Sequence, residues 1–249
     1  MNTALSIQKN IRSSGTIQSR IASLDWPAIH LSLNEFGWAK TGVILTPEEC
    51  SGLRGLYLDD SRFRSKIIMQ RYRFGIGEYK YFNYPLPEVI TELRQSLYPH
   101  LASLANEWMR NLGMDVSFPG THQQFIKHCH TQGQNRPTPL LLRYETGGYN
   151  CLHQDLYGAV YFPFQTVFLL NSPRRDFDGG EFILVEQRPR SQSAAQVINP
   201  GLGEGVIFTT RWRPVKGTRG YYRVNVRHGV STLTHGLRHT LGIVYHDAE

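Results

Sequence analysis

Residues 152–155, with the sequence Leu-His-Gln-Asp, impose the strongest condition on how this chain folds. In an extended segment alternate side chains point to the same side, so His153 and Asp155 share one face. An imidazole nitrogen and a carboxylate oxygen on one face can converge on a single metal ion. The pair is incomplete, because such a site lacks a third ligand, which another part of the chain has to supply.

The third ligand is predicted in a second extended segment, which ends at His228. Alternation places His228 on the same face as Val224 and Val226, and these apolar neighbours direct that face toward the interior. Two histidines and one carboxylate that leave three coordination positions open form the facial triad typical of non-haem Fe(II) oxygenases. We therefore predict that His153, Asp155 and His228 are the ligands of a catalytic iron.

Ten residues beyond His228, Arg238 lies in an apolar run, residues 236–244, that predicts another strand. Arg238 and Thr240 share one face of that strand. A guanidinium and a hydroxyl that point inward from a core strand are costly to bury unless they meet an anion. The far carboxylate of 2-oxoglutarate is the anion that such oxygenases use, so we predict that Arg238 and Thr240 bind it.

These four positions form a pattern found in a known superfamily. A His-x-Asp pair, a histidine about 70 residues later and an arginine about ten residues beyond it resemble the Fe(II)/2-oxoglutarate-dependent dioxygenases over residues 138–247. The resemblance implies a mainly β fold with helices (α+β), in which N-terminal helices flank a double-stranded β-helix, the jelly-roll core also found in cupins. It also implies an oxidoreductase that uses Fe(II), 2-oxoglutarate and O2.

Three segments resemble a narrower family. Residues 137–144, 152–158 and 222–231 are similar to a bacterial family of oxygenases proposed to carry out oxidative demethylation of damaged nucleic acid. The similarity extends to residues 63–65 and 75–82. The resemblance implies a nucleic-acid partner whose damaged base is single-stranded or flipped out of the helix in order to reach the iron.

Two spacings favour different relatives. Tyr144 precedes His153 by nine residues, which resembles AlkB-type demethylases, where the matching tyrosine lies against 2-oxoglutarate; a core tyrosine is the alternative. The ten-residue spacing from His228 to Arg238 instead resembles prolyl-hydroxylase-like enzymes. Hydroxylation of a protein side chain or a small molecule therefore remains an alternative to demethylation, and a non-catalytic binding module on the same fold is a third.

The composition is that of one structural domain. With 249 residues, of which 40% are apolar, the chain can bury a substantial core. We expect an N-terminal arm over residues 1–24, a helical and β support region over 25–136, and the catalytic core over 137–249. The polar first 23 residues and the lack of a run of about 18 apolar residues predict a soluble, cytoplasmic protein with no membrane partner. Three cysteines predict neither a disulfide framework nor a disulfide-linked partner.

Positive charge is concentrated in the catalytic half. The chain has a net charge of +7, and residues 174–238 contain eleven Lys and Arg against five Asp and Glu. A basic surface attracts polyanions, as a nucleic-acid-modifying enzyme requires, and a solvated basic face is the alternative. Within this half we expect a basic loop, residues 211–220, to contact phosphates through Arg211, Arg213 and Arg219.

Residues 63–82 predict a strand, a loop and a second strand, because Gly75 and Gly77 interrupt an aromatic and basic stretch. Tyr79 and Tyr81 could stack on an unpaired base, an interaction worth about 1–3 kcal/mol per base. They could equally pack as an ordinary β-hairpin on the core.

The rest of the support region predicts three helices, over residues 25–36, 46–58 and 87–112, with a kink or a break at Pro99. After them come several potential metal ligands: His122, His128, Cys129 and His130. Structural zinc usually takes two ligand pairs separated by a longer loop, and no second pair follows. We therefore favour a loop that borders the active site over a zinc site.

Overall fold

The computed structural model describes residues 15–249, so residues 1–14 of the predicted N-terminal arm lie outside the described part. Ile17–Ala22 forms helix α1, and Thr16 caps it by accepting a hydrogen bond from the backbone N–H of Ser19. Ile17 and Ile21 are buried in the main hydrophobic core. The predicted arm over residues 1–24 thus contains a helix at Ile17–Ala22, and the apolar side chains of this helix dock it onto the domain.

The other helices are α2 (Trp26–Phe36), α3 (Pro47–Leu56), α4 (Glu88–Asn111) and α5 (His122–Thr131). Helices α2 to α4 confirm the sequence predictions within two residues at each end, and α4 continues through Pro99 without a break. Helix α5 replaces the predicted loop, because Thr121 caps it and His122, Phe125 and Cys129 form its buried face. No helix between residues 15 and 249 is both long and apolar enough to cross a membrane.

The strands form two antiparallel sheets. They are β1 (Trp38–Val43), β2 (Phe63–Ile68), β3 (Gly75–Ile76), β4 (Glu78–Phe82), β5 (Leu140–Glu145), β6 (Tyr149–His153), β7 (Phe164–Leu169), β8 (Phe177–Gly179), β9 (Phe182–Gln187), β10 (Ala194–Ile198), β11 (Glu204–Thr209), β12 (Trp212–Gly217), β13 (Gly220–Val230) and β14 (Leu233–Val244). The larger sheet has the order β1-β11-β7-β14-β5-β4-β2 with β8 beside β14, and the smaller sheet has the order β10-β9-β13-β6-β3 with β12 beside β13. This arrangement is the expected double-stranded β-helix and confirms the α+β class.

The helices cover one face of the larger sheet. The main core cluster joins side chains of α1 to α5 with side chains of β5, β7, β11 and β14, such as Trp108, Phe164 and Ile243. A second, smaller cluster lies between the two sheets and includes Leu184 and Val226. The space between the sheets is therefore only partly filled by apolar side chains, which leaves room for a site.

A buried ion pair attaches the C-terminal segment to α4. Arg94 and Asp247 are 1% and 0% exposed, and Arg94 Nη2 lies 3.0 Å from Asp247 Oδ1. The guanidinium also donates to backbone carbonyls at the end of β14 at 3.0 Å. The carboxylate accepts from the Tyr84 hydroxyl at 2.8 Å and lies 2.9 Å from His130 Nε2. Both charges are thus fully hydrogen-bonded where water does not reach them.

We predict that Asp247→Ala lowers the free energy of unfolding by about 3–5 kcal/mol, because it leaves the buried Arg94 guanidinium without its counter-charge. Urea denaturation followed by circular dichroism measures the change. The matched control is Glu145→Ala, which removes the exposed partner of Arg143 and should cost less than about 1 kcal/mol. Equal losses of unfolding free energy in the two variants would show that the Arg94–Asp247 pair contributes no more to stability than an exposed ion pair.

Candidate active site

The three predicted metal ligands meet where β6 ends beside β13 in the smaller sheet. In the β6–β13 pair His153 lies directly opposite His228, and the imidazole centroids are 4.2 Å apart. Asp155 lies two residues beyond the end of β6. Its carboxylate oxygens are 3.5 Å from His153 Nε2 and 3.2 Å from His228 Nε2. One donor atom from each residue lies within 4.8 Å of the other two, so the three side chains can close on one ion.

Hydrogen bonding and packing orient both imidazoles. His153 Nδ1 is 2.7 Å from the carbonyl of Cys151, so this nitrogen carries the proton and Nε2 offers its lone pair to the site. His228 is buried against the rings of Phe182 and Phe208 at 5.8 and 4.7 Å. Burial, with the nearby His153, lowers the pKa of His228 and favours the neutral ring that a metal requires.

The Asp155 carboxylate is held through both oxygens. Tyr157 donates its hydroxyl to Oδ1 at 2.9 Å, and Gln165 donates its amide to Oδ2 at 3.0 Å. Burial alone would raise the pKa of Asp155, but the hydrogen bond from His228 and the two adjacent imidazoles bring it below its usual value. The carboxylate is therefore ionised and fixed in direction, which suits a ligand of a divalent cation.

This donor set fits Fe(II). Imidazole nitrogens and a carboxylate on one side of an ion, with no thiolate, leave the opposite positions free for small ligands, as in non-haem iron oxygenases. Within residues 15–249 it is the one group of three or more His, Cys, Asp or Glu side chains that can converge on an ion.

The alternative zinc ligands point elsewhere. His122 Nε2 lies 2.9 Å from the carbonyl of Tyr245, and His130 pairs with Asp247. Their helix, α5, packs against α4 in the helical layer, so these residues contribute to packing rather than bordering the active site as a loop.

Arg238 and Thr240 face the same interior from the larger sheet, and each is 2% exposed. Arg238 lies opposite Tyr144 of β5, with its guanidinium 5.7 Å from the centre of the phenol ring. Its Nε and Nη1 have no hydrogen-bond partner within residues 15–249. Burial lowers the pKa of Arg238 to about 10, which still leaves the group charged at neutral pH. A buried cation with free donors can bind a carboxylate.

A cavity of about 390 Å³ connects the triad with Arg238. This volume lies within the usual range of small-molecule sites, about 300–1,000 Å³. The cavity is lined from both sheets and from the loop before β3, by Arg73, Phe74, Tyr79, Tyr81, Tyr144, His153, Asp155, Tyr157, Phe208, His228, Arg238 and Thr240 among others.

The predicted substrate contacts separate into two groups. Tyr79 and Tyr81 line the cavity, whereas Arg211, Arg213 and Arg219 do not. The predicted basic loop is the β12–β13 hairpin, and its alternation turns Arg213 inward, where Nε donates to Glu186 at 2.6 Å. Arg213 is thus a structural residue, and its assignment to phosphate binding was wrong.

Arg219 lies in the turn between β12 and β13, nine residues from His228. Along an extended strand this is roughly 30 Å. Arg219 is therefore too far from the triad to touch a molecule in the cavity, and its contact with a phosphate outside the cavity stays a prediction.

Residues 77–248 match the sequence family of oxygenases described as catalysing oxidative methylation of damaged DNA. The chain belongs to this oxygenase family. The oxygenase is also 46% identical over 167 residues to uncharacterised proteins of two strains of Mycobacterium tuberculosis, a match that covers 67% of this chain and 72% of theirs. Family membership and the His-Asp-His site together confirm the prediction of an Fe(II)- and 2-oxoglutarate-dependent dioxygenase.

Solved structures support the fold of the oxygenase. A Pseudomonas putida prolyl-4-hydroxylase has 14% identity and a TM-score of 0.54, over 90% of this chain and 99% of that chain. A Trichoplax adhaerens prolyl hydroxylase, in complex with a peptide fragment of the hypoxia inducible factor oxygen degradation domain, has 17% identity and a TM-score of 0.56, over 94% of this chain and 95% of that chain. The jelly-roll architecture is therefore shared across nearly the whole chain.

Three residues that build the oxygenase site had no role in the sequence analysis. Tyr157 and Gln165 hold Asp155, and Gln154 donates to the carbonyls of Arg211 and Val226 at 3.0 and 2.9 Å. The spacing of His153, Asp155 and Tyr157 was the available signal, because alternation puts all three on one face. Gln165 had no such signal, since it approaches from the other sheet.

We predict that Tyr157→Phe weakens the binding of Co(II), used as a stable substitute for Fe(II), at least about tenfold, because Asp155 loses one of the donors that orient it. Isothermal titration calorimetry measures the affinity. Tyr161→Phe is the matched control, since the Tyr161 hydroxyl has no hydrogen-bond partner within residues 15–249. If both variants bind Co(II) equally well, Tyr157 does not position the carboxylate.

We predict that Arg238→Ala raises the 2-oxoglutarate concentration needed for half-maximal succinate formation at least about tenfold, because charge-assisted hydrogen bonds to the co-substrate are lost. Thermal denaturation should change little, since the Arg238 guanidinium has two free donors in the protein. Arg110→Ala, an exposed position on α4, is the control and should leave the requirement unchanged. An unchanged requirement in Arg238→Ala would remove Arg238 from the co-substrate site.

Proposed function

We propose that this oxygenase hydroxylates a methyl group on a damaged nucleic-acid base, and so removes that group as formaldehyde. Oxidation of an N-methyl carbon gives an unstable hemiaminal, which breaks down to formaldehyde and the repaired base. The description of the family, which names damaged DNA, supports this substrate class. The reaction proposed is demethylation, because hydroxylation of an N-methyl carbon gives a hemiaminal whose C–N bond breaks, releasing formaldehyde and leaving N–H on the base.

In this proposal His153, Asp155 and His228 hold Fe(II) from the smaller sheet. Iron and 2-oxoglutarate, when bound with O2, supply the oxidising equivalent that attacks the substrate C–H bond. The protein positions the reacting groups: the hydrogen bond from His153 to the Cys151 carbonyl and the two donors to Asp155 keep the ligand atoms directed at one point.

The co-substrate is held from the opposite sheet. Arg238 and Thr240 bind its far carboxylate, and Tyr144 lies beside them with its hydroxyl 3.3 Å from the amide of Asn150. Because all three side chains of this carboxylate site are buried, water competes little for the anion, and its hydrogen bonds are correspondingly strong.

The observation that carries the proposal is the aromatic wall of the cavity. The rings of Tyr79 and Tyr81 are 5.4 Å apart and nearly perpendicular, and those of Tyr81 and Tyr157 are 6.0 Å apart in a similar arrangement. Phe74, at 45% exposure, also lines the cavity, from the loop before β3. A planar base can stack on such rings once it is unpaired. Asp155 accepts a hydrogen bond from Tyr157, so a base stacked on this wall would lie close to the proposed iron ligand.

Hydroxylation of a protein side chain is the second candidate. It is favoured by the ten-residue interval from His228 to Arg238, which resembles that of prolyl-hydroxylase-like enzymes. A prolyl hydroxylase of similar fold has been crystallised with a peptide. This candidate requires the same iron and co-substrate residues and differs only in what enters the cavity.

We predict that the protein with Fe(II) and 2-oxoglutarate releases formaldehyde from N-methylated single-stranded oligonucleotides, in step with succinate. Formaldehyde is measured by derivatisation and succinate by chromatography, with the unmethylated oligonucleotide for comparison. His153→Ala should abolish both products, because one ligand of the triad is lost. The same assay with proline-containing peptides, read as the gain of one oxygen atom by mass, tests the second candidate. Peptide oxidation without any formaldehyde would replace the first proposal by the second.

A further inference from the structure

The outer face of the smaller sheet is cationic and contains no acidic side chain over three neighbouring strands. Side chains alternate between the two faces along a strand, and residues directly paired on neighbouring strands lie on the same face. The partners of the exposed residues of β13 therefore belong to the outer face too. This outward set contains three cations among nine residues, and no Asp or Glu. Its members are Tyr221, Arg223, Asn225 and Arg227 on β13, Trp212, Pro214 and Lys216 on β12, and Val185 and Gln187 on β9.

Arg223 of this face and Arg211, the residue just before β12, both lie against the indole ring of Trp212. The guanidinium carbon of Arg211 lies 3.8 Å from the ring centre of Trp212, and that of Arg223 lies 4.8 Å from it. A guanidinium held against an aromatic ring is restricted in position, while its outer N–H groups can still donate to a phosphate. In Arg211 these are the terminal nitrogens, because Nε is buried. This arrangement reduces the loss of side-chain freedom that binding would otherwise require.

The charges of this face are not neutralised within the protein. Arg211, Arg223, Arg227 and Lys216 form no ion pair with any residue from 15 to 249, whereas Glu186 neutralises the neighbouring inward-facing arginine of β12. Glu35 and Glu107 border the end of the face that contains Lys216 and Tyr221. The end that contains Arg223 and Arg227 has unpaired cations and is complementary to a polyanion.

The cationic face begins where the metal-binding segment leaves the sheet. Strand β9 pairs with one side of β13. On the other side, β12 pairs with the first half of β13 and β6 pairs with its last residues, so β12 and β6 lie one after the other along the same strand. Gln154, between His153 and Asp155, spans the junction by donating to the carbonyls of Arg211 and Val226 at 3.0 and 2.9 Å. The Arg211–Trp212 corner is thus one hydrogen bond away from the residues that carry the proposed iron ligands.

We propose that this face binds the sugar–phosphate backbone of the nucleic acid whose damaged base enters the cavity, with Arg211 and Arg223 at the corner and Arg227 behind them. The inference rests on the proposed function, which supplies the nucleic-acid substrate. It adds the surface that binds the nucleotides on either side of the damaged base. A mononucleoside would reach the cavity without using this surface, but an oligonucleotide would contact both.

The test compares Arg223→Gln/Arg227→Gln with the wild type by fluorescence anisotropy of a labelled single-stranded oligonucleotide over a range of NaCl concentrations. Two lost phosphate contacts should reduce the slope of log K against log [salt] by about 1.4. At about 0.1 M salt the affinity should fall about tenfold. Turnover of a methylated mononucleoside should stay at the wild-type rate, because neither arginine lines the cavity.

The matched control is Arg110→Gln/Lys127→Gln, which removes two exposed charges from α4 and α5 and should leave the slope unchanged. Arg223→Lys/Arg227→Lys should restore most of the slope, which separates loss of charge from loss of structure. An unchanged slope in the glutamine variant would overturn the docking surface, even if the wild type releases formaldehyde. If oligonucleotide binding depends on the two arginines but no formaldehyde is released, the docking surface is supported and the proposed demethylation is contradicted.

Two other occupants of the face are distinguished in the same experiment. Polyglutamate that displaces the oligonucleotide at equal charge concentration would indicate an acidic protein partner and overturn the proposal. A wild-type dimer that dissociates in the glutamine variant, measured by analytical ultracentrifugation, would assign the face to a second copy of the chain and overturn it as well.

Discussion

The pairing of His153 with His228 is the contact on which the rest of the site depends. A shift of one residue in the register of β13 would turn His228 outward and bring Arg227 into the interior. Val224 and Val226, which are buried on the same side as His228, oppose that shift because it would expose them. The same alternation therefore sets both the proposed metal site and the cationic outer face.

Two opposite charges lie in the space between the sheets. Asp155, two residues beyond the end of β6, faces the proposed metal position, and Arg238 on β14 of the larger sheet faces the proposed position of the far carboxylate. Arg238 has two donors without protein acceptors, so its burial is costly until an anion arrives. Other interactions offset this unfavourable free energy, including the packing of the helical layer on the larger sheet and the Arg94–Asp247 ion pair.

The sequence was sufficient for the parts that follow from strand alternation and short spacing. It predicted the meeting of His153, Asp155 and His228, the inward direction of Arg238, and the fold class. It failed where the same residues are compatible with several structures. The polar residues of α5 are as typical of a loop as of a helix, and only the buried face decides between them. A run of basic residues does not reveal that the side chain of Arg213 points inward and donates to Glu186. The hydrogen bond of Gln165 to Asp155 depends on the approach of two sheets, which no local pattern encodes.

The proposed iron ligands come from the smaller sheet and the segment that follows β6, and the proposed carboxylate anchor comes from the larger sheet. This division has a consequence for selectivity. The distance between the metal position and Arg238 is fixed by how thickly the side chains between the sheets are packed, for instance Phe182 against Phe208 at 4.8 Å. If Arg238 anchors the far carboxylate as proposed, this distance selects a diacid by its carbon-chain length. Substitutions in the apolar packing, remote from both charged ends, would then change which keto acid the enzyme accepts.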